Sequence, residues 1–438
     1  MTVKERSRPA HIEAVVIGGG YAGLLTAAVL AHSGHDVLIL GGGGRSGAGG
    51  EDGAGNPGGN GGNGGGRGGA GAAPEARPAQ LLRVGGRDVD DLLYGATRAL
   101  RAAGARSTLL ALPPGAGTYG SGMETSEFLT CSPALLTDVV RGEVLARPGY
   151  ERETLWWQDA RAVGLLGDRG EVRGVTVRLG DGTACAVTAR LVVDAGGTRS
   201  AAESWLAELG VPPAPQSVRG TAGSCATRIY AAPAPSGTSG MPGIAGMFGS
   251  PLTVAASDGR TAFVAPVEGG RWALSQYAHR STPLPPGLAF EDAASAFAHP
   301  VIRRLVSEAE PLTDVCVSEV RRARWRRYER IRDWPRRFVV LGDALADFGR
   351  PDGRGLTSAE EAVRALRNEL AQGGISHPTV SRRAQRKIAE QVARVWPGAG
   401  LPGSGGTRTA RAGSRFEFAG PRTYARAVAG GFLRRGPR

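Results

Sequence analysis

Lysine is almost missing from this chain. Of 53 basic residues only Lys4 and Lys387 are lysine, so the net charge of +13 is carried by arginine. A guanidinium is a permanent, planar donor suited to anionic groups, and an excess of it favours anionic substrates, surfaces or nucleic acid. The arginines are nonetheless spread along the whole chain, densest at 321–330 and in the C-terminal tail. No zinc-finger spacing or RNA-binding aromatic signature lies between them, so the charge reads as compositional bias and nucleic acid is not an expected partner. Cysteine is scarce as well. Cys131, Cys185, Cys225 and Cys316 stand far apart and form no CxxC pair, which excludes a dense disulfide framework and points to free thiols in a reducing cytosol. No apolar run approaches the ~18 residues of a membrane span, and no apolar region of signal-peptide length precedes Gly18, so a cytoplasmic protein is expected.

Glycine, by contrast, accounts for 70 of 438 residues, and its placement is not uniform. Near the start, Val15-Val16-Ile17-Gly18-Gly19-Gly20-Tyr21-Ala22-Gly23 runs from an apolar strand into a turn and a helix. Gly18 permits the sharp turn, Gly20 lets backbone approach a pyrophosphate, and Gly23 lets helix and strand pack closely. The helix over 21–33 is apolar around most of its surface and ends at Gly34, after which Asp36-Val37-Leu38-Ile39-Leu40 supplies a second strand. The N-terminus of that helix offers free N–H groups and a partial positive charge to a phosphate. One part of the usual dinucleotide site is absent: Gly41 stands where an acidic residue normally holds the adenosine ribose. Glu51 or Asp52 could reach back to the ribose from the following loop, an arrangement that is not favoured.

Residues 41–72 form a glycine-rich insertion without large apolar side chains, too poor in burial to offset its ordering entropy. A flexible surface loop is expected there, and a tolerated insertion is favoured over a lid. Leu191-Val192-Val193-Asp194-Ala195-Gly196-Gly197 reads as another parallel strand meeting a ligand edge. Residues 172–179 alternate and turn at Gly180-Asp181-Gly182, as a hairpin would. From 225 to 277, strand-like pieces such as 261–266 and 272–277 suggest a second, mostly antiparallel sheet. Phe338-Val339-Val340-Leu341 returns to the first sheet. It is followed by Gly342-Asp343-Ala344, by Gly353-Arg354-Gly355 and by a helix over 357–370.

The expected fold is therefore α/β, with α+β character in the second domain. It comprises a Rossmann-like three-layer nucleotide domain, a mixed or antiparallel substrate domain and a C-terminal helical tail. The expected segments are 1–224 for the first part of the nucleotide domain, 225–330 for the second sheet, 331–372 for the returning segment, and 373–438 for a basic amphipathic helix and a loosely ordered tail. In that helix Val380, Ala384, Ile388, Val392 and Val395 share one face, and packing onto the main domain is favoured over a membrane or partner surface.

Across 12–370 the chain resembles the FAD-dependent monooxygenases of the p-hydroxybenzoate-hydroxylase-like superfamily. Within it, the chain looks most like the actinobacterial epoxidases of polyether polyketide (antibiotic) biosynthesis, of the monensin and lasalocid type. The resemblance is carried by 191–200, Trp205-Leu206-Ala207-Glu208-Leu209-Gly210-Val211, Ala226-Thr227-Arg228 and Pro266-Val267-Glu268-Gly269-Gly270-Arg271-Trp272. Ala309-Glu310-Pro311-Leu312, Arg327-Tyr328-Glu329-Arg330 and Trp334-Pro335 add to it.

It implies that FAD is the cofactor, with Gly18, Gly20 and Gly23 on the pyrophosphate, and Asp343 on the ribityl chain or its phosphate-proximal oxygens. Gly353, Gly355 and Leu356 would present N–H groups to the pyrimidine edge of the isoalloxazine, and Arg77 matches an arginine that approaches the flavin. Asp194 matches a second acidic position of the nucleotide domain, or caps the following turn. The implied reaction transfers one oxygen atom of O₂ from reduced flavin to a hydrophobic natural-product substrate, epoxidising a polyene alkene or, alternatively, hydroxylating an aromatic ring. NAD(P)H would supply electrons directly or through a separate flavin reductase, and no catalytic acid or base is assigned.

The chain also departs from the family. Pro78 and Gln80 replace its histidines, Pro133-Ala134 an Arg-Pro, and Gly349-Arg350 and Asp352 an Asn-Pro and aromatic residues. A relative that keeps the fold as a binding or scaffold protein is therefore the second reading. Flavin halogenases resemble the same scaffold but use a lysine between flavin and substrate, and neither Lys4 nor Lys387 is suitably placed. A two-dinucleotide reductase would need a second complete GxGxxG unit, and none is evident. Tyr230, Phe248, Phe263 and Trp272 would roof the substrate pocket, although each alone reads more simply as core.

Overall fold

A computed structural model describes residues 12–41, 77–84, 88–112, 124–146, 155–232, 253–257, 260–280, 289–297, 299–349 and 353–396. The glycine-rich insertion beyond Gly41, Phe248, Arg350, Asp352 and the tail from 397 lie outside the described residues.

The first sheet is built on the apolar runs that the sequence exposes. Strand β1 (Ile12–Ile17) lies between β2 (Val37–Leu40) and the end of a long strand, β9 (Ala184–Asp194), all parallel, with Ile17 opposite both Leu40 and Asp194. On the far side of β2 runs a further parallel strand, β6 (Leu155–Gln158), and β17 (Phe338–Val340) joins β9 in parallel. Strand β9 has two roles. Its first half pairs antiparallel with β8 (Glu171–Leu179), which pairs in turn with β7 (Ala160–Asp168), while its second half enters the parallel sheet. The turn between β8 and β9 falls at Gly180–Gly182, where Asp181 Oδ1 accepts from the Thr183 N–H at 2.8 Å.

Helix α1 (Tyr21–His32) returns from β1, and ten of its residues are buried. That explains its nearly uniform apolar sequence, because it is covered by α3 (Pro133–Leu145) and α7 (Arg354–Gly373) as well as by the sheet. Ser132 caps α3, accepting from Leu135 N–H at 3.1 Å, with Pro133 in the first turn where its missing N–H costs nothing. Helix α8 (Val380–Val395) lies against α7 and β17, and Val380, Ala384, Ile388, Val392 and Val395 are all buried there; Arg382, Arg386 and Lys387 are exposed, while Arg383 turns back to Glu369 of α7 at 2.8 Å.

The second sheet is antiparallel throughout, in the order β12 (Thr253–Ser257), β13 (Arg260–Val267), β14 (Arg271–His279), β11 (Gly223–Ala231), β15 (Cys316–Val320). Its two faces bury different things. Cys225, Ile229, Phe263 and Tyr277 pack against Leu81 and Phe128 of a small sheet formed by β3 (Gln80–Val84), β5 (Glu124–Cys131) and β4 (Arg106–Leu112). Tyr230 and Trp272 point the opposite way, into a cluster closed by α5 (Phe290–Ser295) and α6 (Pro300–Glu308). The expected aromatic roof is corrected by this alternation: of its described members only Phe263 faces β3 and β5, because side chains on a strand change face at every residue. The remaining described elements are α2 (Ala96–Ala102), α4 (Ala202–Glu208) and a three-stranded sheet of β10 (Gln216–Arg219), β16 (Ala323–Arg326) and β18 (Ala346–Asp347).

Candidate functional site

The glycines of the first turn fall into two kinds. Gly18 has φ +107°, and a Cβ there would lie 2.4 Å from the Ala195 carbonyl oxygen, while a Cβ on Gly23 would lie 1.9 Å from the Gly18 oxygen. Those two are demanded by the fold itself. Gly20 is different. Its φ of −82° and ψ of −178° are ordinary extended backbone, and a Cβ would meet nothing within 4 Å. Among the described residues nothing requires glycine at position 20, and the space it leaves open lies at the N-terminus of α1, which none of their side chains caps. The first helical N–H groups there have no intrahelical acceptors, so an anion would satisfy them.

The late segment closes on the same place. Leu341 N–H donates to the Asp194 carbonyl at 3.0 Å, extending β17 to the end of β9, and the chain then turns through Gly342–Ala344. Gly342 has φ +62°, and its Cβ position lies 3.0 Å from Ala22 Cβ, so this turn rests on the first turn of α1. Arg326, buried on β16, holds it from behind. Its guanidinium donates to the Ala344 carbonyl at 3.1 Å and to Glu203 at 2.8 Å.

Asp343 projects from the turn. By surface area its side chain is exposed, yet burial pushes its pKa up to about 7, with Asp347 adding repulsion. Both descriptions hold for a carboxyl that water reaches while protein fills much of the surrounding volume. The N-terminus of α7 meets Asp343 there, and the Gly355 Cβ position is 3.7 Å from Asp343 Oδ1. Gly353 precedes α7 with φ +83° and lies against the Leu81 carbonyl of β3, 2.8 Å from its Cβ position. Leu356, in the first turn of α7, packs on the main core.

Gly18, Gly20, Gly23, Asp343, Gly353 and Gly355 are thus brought together, with two uncapped helix N-termini flanking one carboxylate. Arg77 is exposed on the lead-in to β3. Asp194 is fully buried and serves its own turn: it accepts from Gly196 N–H at 2.8 Å and from the Ser200 hydroxyl, while burial raises its pKa. Gly349 has φ +70°, and a Cβ there would lie 2.4 Å from the Arg321 oxygen, so close packing calls for glycine at this position.

Sequence reading missed the buried polar group beneath the site. Tyr21, the first residue of α1, donates to Glu360 Oε1 of α7 at 2.7 Å. Burial and Glu360 raise the Tyr21 phenol, and burial pushes Glu360 up to about 7. Arg364, only 1% exposed, adds contacts to Asp91 at 2.8 Å and Glu361 at 3.2 Å, and donates to the Asp88 carbonyl. The i, i+4 pair Glu360/Arg364 on a core-facing helix was the available signal. Among the described residues no group of His, Cys, Asp and Glu could hold a metal ion, and no helix is long and apolar enough to cross a membrane.

No protein-family model matches the sequence, and no curated protein does. Solved structures do resemble it in fold. A flavin-dependent brominase aligns over 88% of this chain and 87% of its own with 15% identity and a TM-score of 0.59. The p-nitrophenol 4-monooxygenase of Pseudomonas putida DLL-E4 aligns over 89% and 86% with 14% identity and a TM-score of 0.56. Klebsiella pneumoniae HpxO, solved with FAD and uric acid, aligns over 89% and 87% with 20% identity and a TM-score of 0.56. At such identities the likeness is one of fold, and the α/β architecture with its second antiparallel sheet is the fold these proteins share.

Proposed function

We propose that the chain is an FAD-dependent monooxygenase acting on a hydrophobic natural-product substrate, with alkene epoxidation of a polyene as the favoured reaction. The observation that carries the reading is the empty space at Gly20, flanked by the uncapped N-termini of α1 and α7 and by Asp343. A diphosphate is suited to that place, because the N-terminus of α1 supplies donors and partial positive charge to it. Asp343 is suited to accept from hydroxyls of a ribityl chain. The backbone N–H groups at Gly355 and Leu356 would face the pyrimidine edge of the flavin and stabilise negative charge there. Bound FAD would supply the oxygen-transfer chemistry, with NAD(P)H as the source of electrons, directly or by way of a reductase. The protein's own tasks are to orient the alkene and keep water out. The fold neighbours support the reading, since a brominase, a monooxygenase and an FAD complex are among them.

A halogenase is the less favoured alternative. Lys387 lies on the outer face of α8, 52% exposed and 3.2 Å from Glu390. A binding protein on the same fold remains the second reading, from the altered segment 349–352.

The deciding experiment is FAD titration of the apoprotein beside Gly20→Ala. The wild type should bind FAD with a flavin spectrum near stoichiometry. Gly20→Ala should fold normally, since its Cβ meets no protein atom, but lose FAD affinity roughly tenfold or more through displacement of the phosphate. A folded wild type that ignores FAD sinks the proposal. If FAD binds, NAD(P)H oxidation with polyene and aromatic substrates then separates epoxidase, hydroxylase and non-catalytic readings.

A further inference from the structure

The site lacks the acidic residue that usually ends the second strand, and the sheet register shows where another carboxylate stands. Ile17 of β1, Leu40 of β2 and Gln158 of β6 lie in one row across three neighbouring parallel strands. The row beyond them, at the carboxyl edge where ligands bind in such sheets, is Gly18, Gly41 and Asp159. The Gly18 N–H donates to the Leu40 carbonyl at 2.9 Å, which ties the phosphate turn to this edge. Asp159 occupies the single residue between β6 and β7, is exposed, and makes no hydrogen bond or ion pair among the described residues. Gly41 beside it has no side chain to intervene.

We infer that Asp159 is the adenosine-binding carboxylate of this chain, accepting from the ribose 2′-hydroxyl in place of the missing acid at position 41. The inference rests on the FAD reading above. The geometry is sufficient. Adjacent strands lie about 4.8 Å apart, and an aspartate side chain with one charge-assisted hydrogen bond of about 2.7–2.9 Å covers that distance. A carboxylate one strand to the side is therefore within reach of a ribose lying over the edge between β2 and β6. Two structural features explain why the move is tolerated. Strand β6 enters β7 through Asp159 with no longer loop to cover it, and Asp159 engages no cation among the described residues that would neutralise it.

The test is binding, not turnover. Wild-type apoprotein, Asp159→Ala and Asp159→Asn are titrated with FAD, with flavin mononucleotide, and with an FAD analogue lacking the adenosine 2′-hydroxyl, alongside thermal unfolding. The assignment expects Asp159→Ala to weaken FAD binding roughly ten- to a hundredfold. It should leave flavin mononucleotide affinity and the unfolding midpoint unchanged, and bind the deoxy analogue as it binds FAD. Asp159→Asn should fall between. FAD affinity unchanged in Asp159→Ala would overturn the assignment while leaving the flavin reading standing. So would an equal loss for flavin mononucleotide, or a deoxy penalty in the variant as large as in the wild type. A folded wild type that binds no FAD would instead remove the flavin reading, and this assignment with it.

Discussion

Tyr21 donates its phenolic hydrogen to Glu360 Oε1 at 2.7 Å, joining the first turn of α1 to the middle of α7 across 339 residues of sequence. The bond fixes the two helices whose N-termini frame the proposed cofactor cleft. Tyr21→Phe removes a buried donor to an acidic group and leaves Arg364 Nη2, 3.8 Å from the other oxygen, as the remaining contact. A loss of about 1.5–3 kcal/mol is expected, read from the urea midpoint.

Stability should also depend on pH through Glu360. Its folded pKa of about 7 stands above the ordinary carboxylate value of 4.5. Between those values the folded protein keeps a proton that the unfolded chain has released. This contribution is therefore full below about pH 4.5 and is lost as pH rises through about 7. Asp343 acts in the same direction. Glu360→Gln should flatten the slope of stability over that window. An unchanged slope in chemical denaturation would count against the raised pKa.

Gly23→Ala and Gly20→Ala should behave oppositely. The first places a methyl 1.9 Å from a backbone oxygen and must push α1 off β1. Several kcal/mol of destabilisation, or failure to accumulate folded protein, is expected. Gly20→Ala should unfold at the wild-type midpoint. Equal destabilisation of the two would contradict the open space at position 20.

Arg364→Met should be costly in a way that its position on a helix does not suggest. It removes a buried guanidinium that contacts Asp91, Glu361, Glu360 and the Asp88 carbonyl at once, and about 3 kcal/mol is expected from breaking such a network. By contrast Lys387→Ala, on an exposed pair, should move stability by less than about 0.5 kcal/mol and leave FAD affinity untouched.

What the sequence made legible was local. The strand, turn and helix at 12–32, the hairpin at 171–194 and the return at 338–344 follow from apolar runs broken by glycine, because each is specified within a few residues. The face chosen by Tyr230 and Trp272 was not legible, since a strand buried on both faces has no polar side to orient it. Nor was the role of Asp159, which depends on β6 lying beside β2, a pairing between residues more than 100 positions apart. Gly18 and Gly20 look alike in the sequence. Only the position of the Ala195 carbonyl separates a glycine that the fold requires from one that a ligand would require.

The double pairing of β9 bears on how the chain is made. Strand β1 can pair with β2 early in synthesis, but its other neighbour begins only at Ala189, and the strand that covers the far edge of β9 begins only at Phe338. A nascent chain that has not yet reached that point carries an unpaired edge at Val192–Asp194 in the interior of its future sheet, the kind of surface that recruits other strands. Such non-local pairing also slows folding. The edge of β9 at Val192–Asp194 therefore has no strand to pair with until Phe338–Val340 has been made.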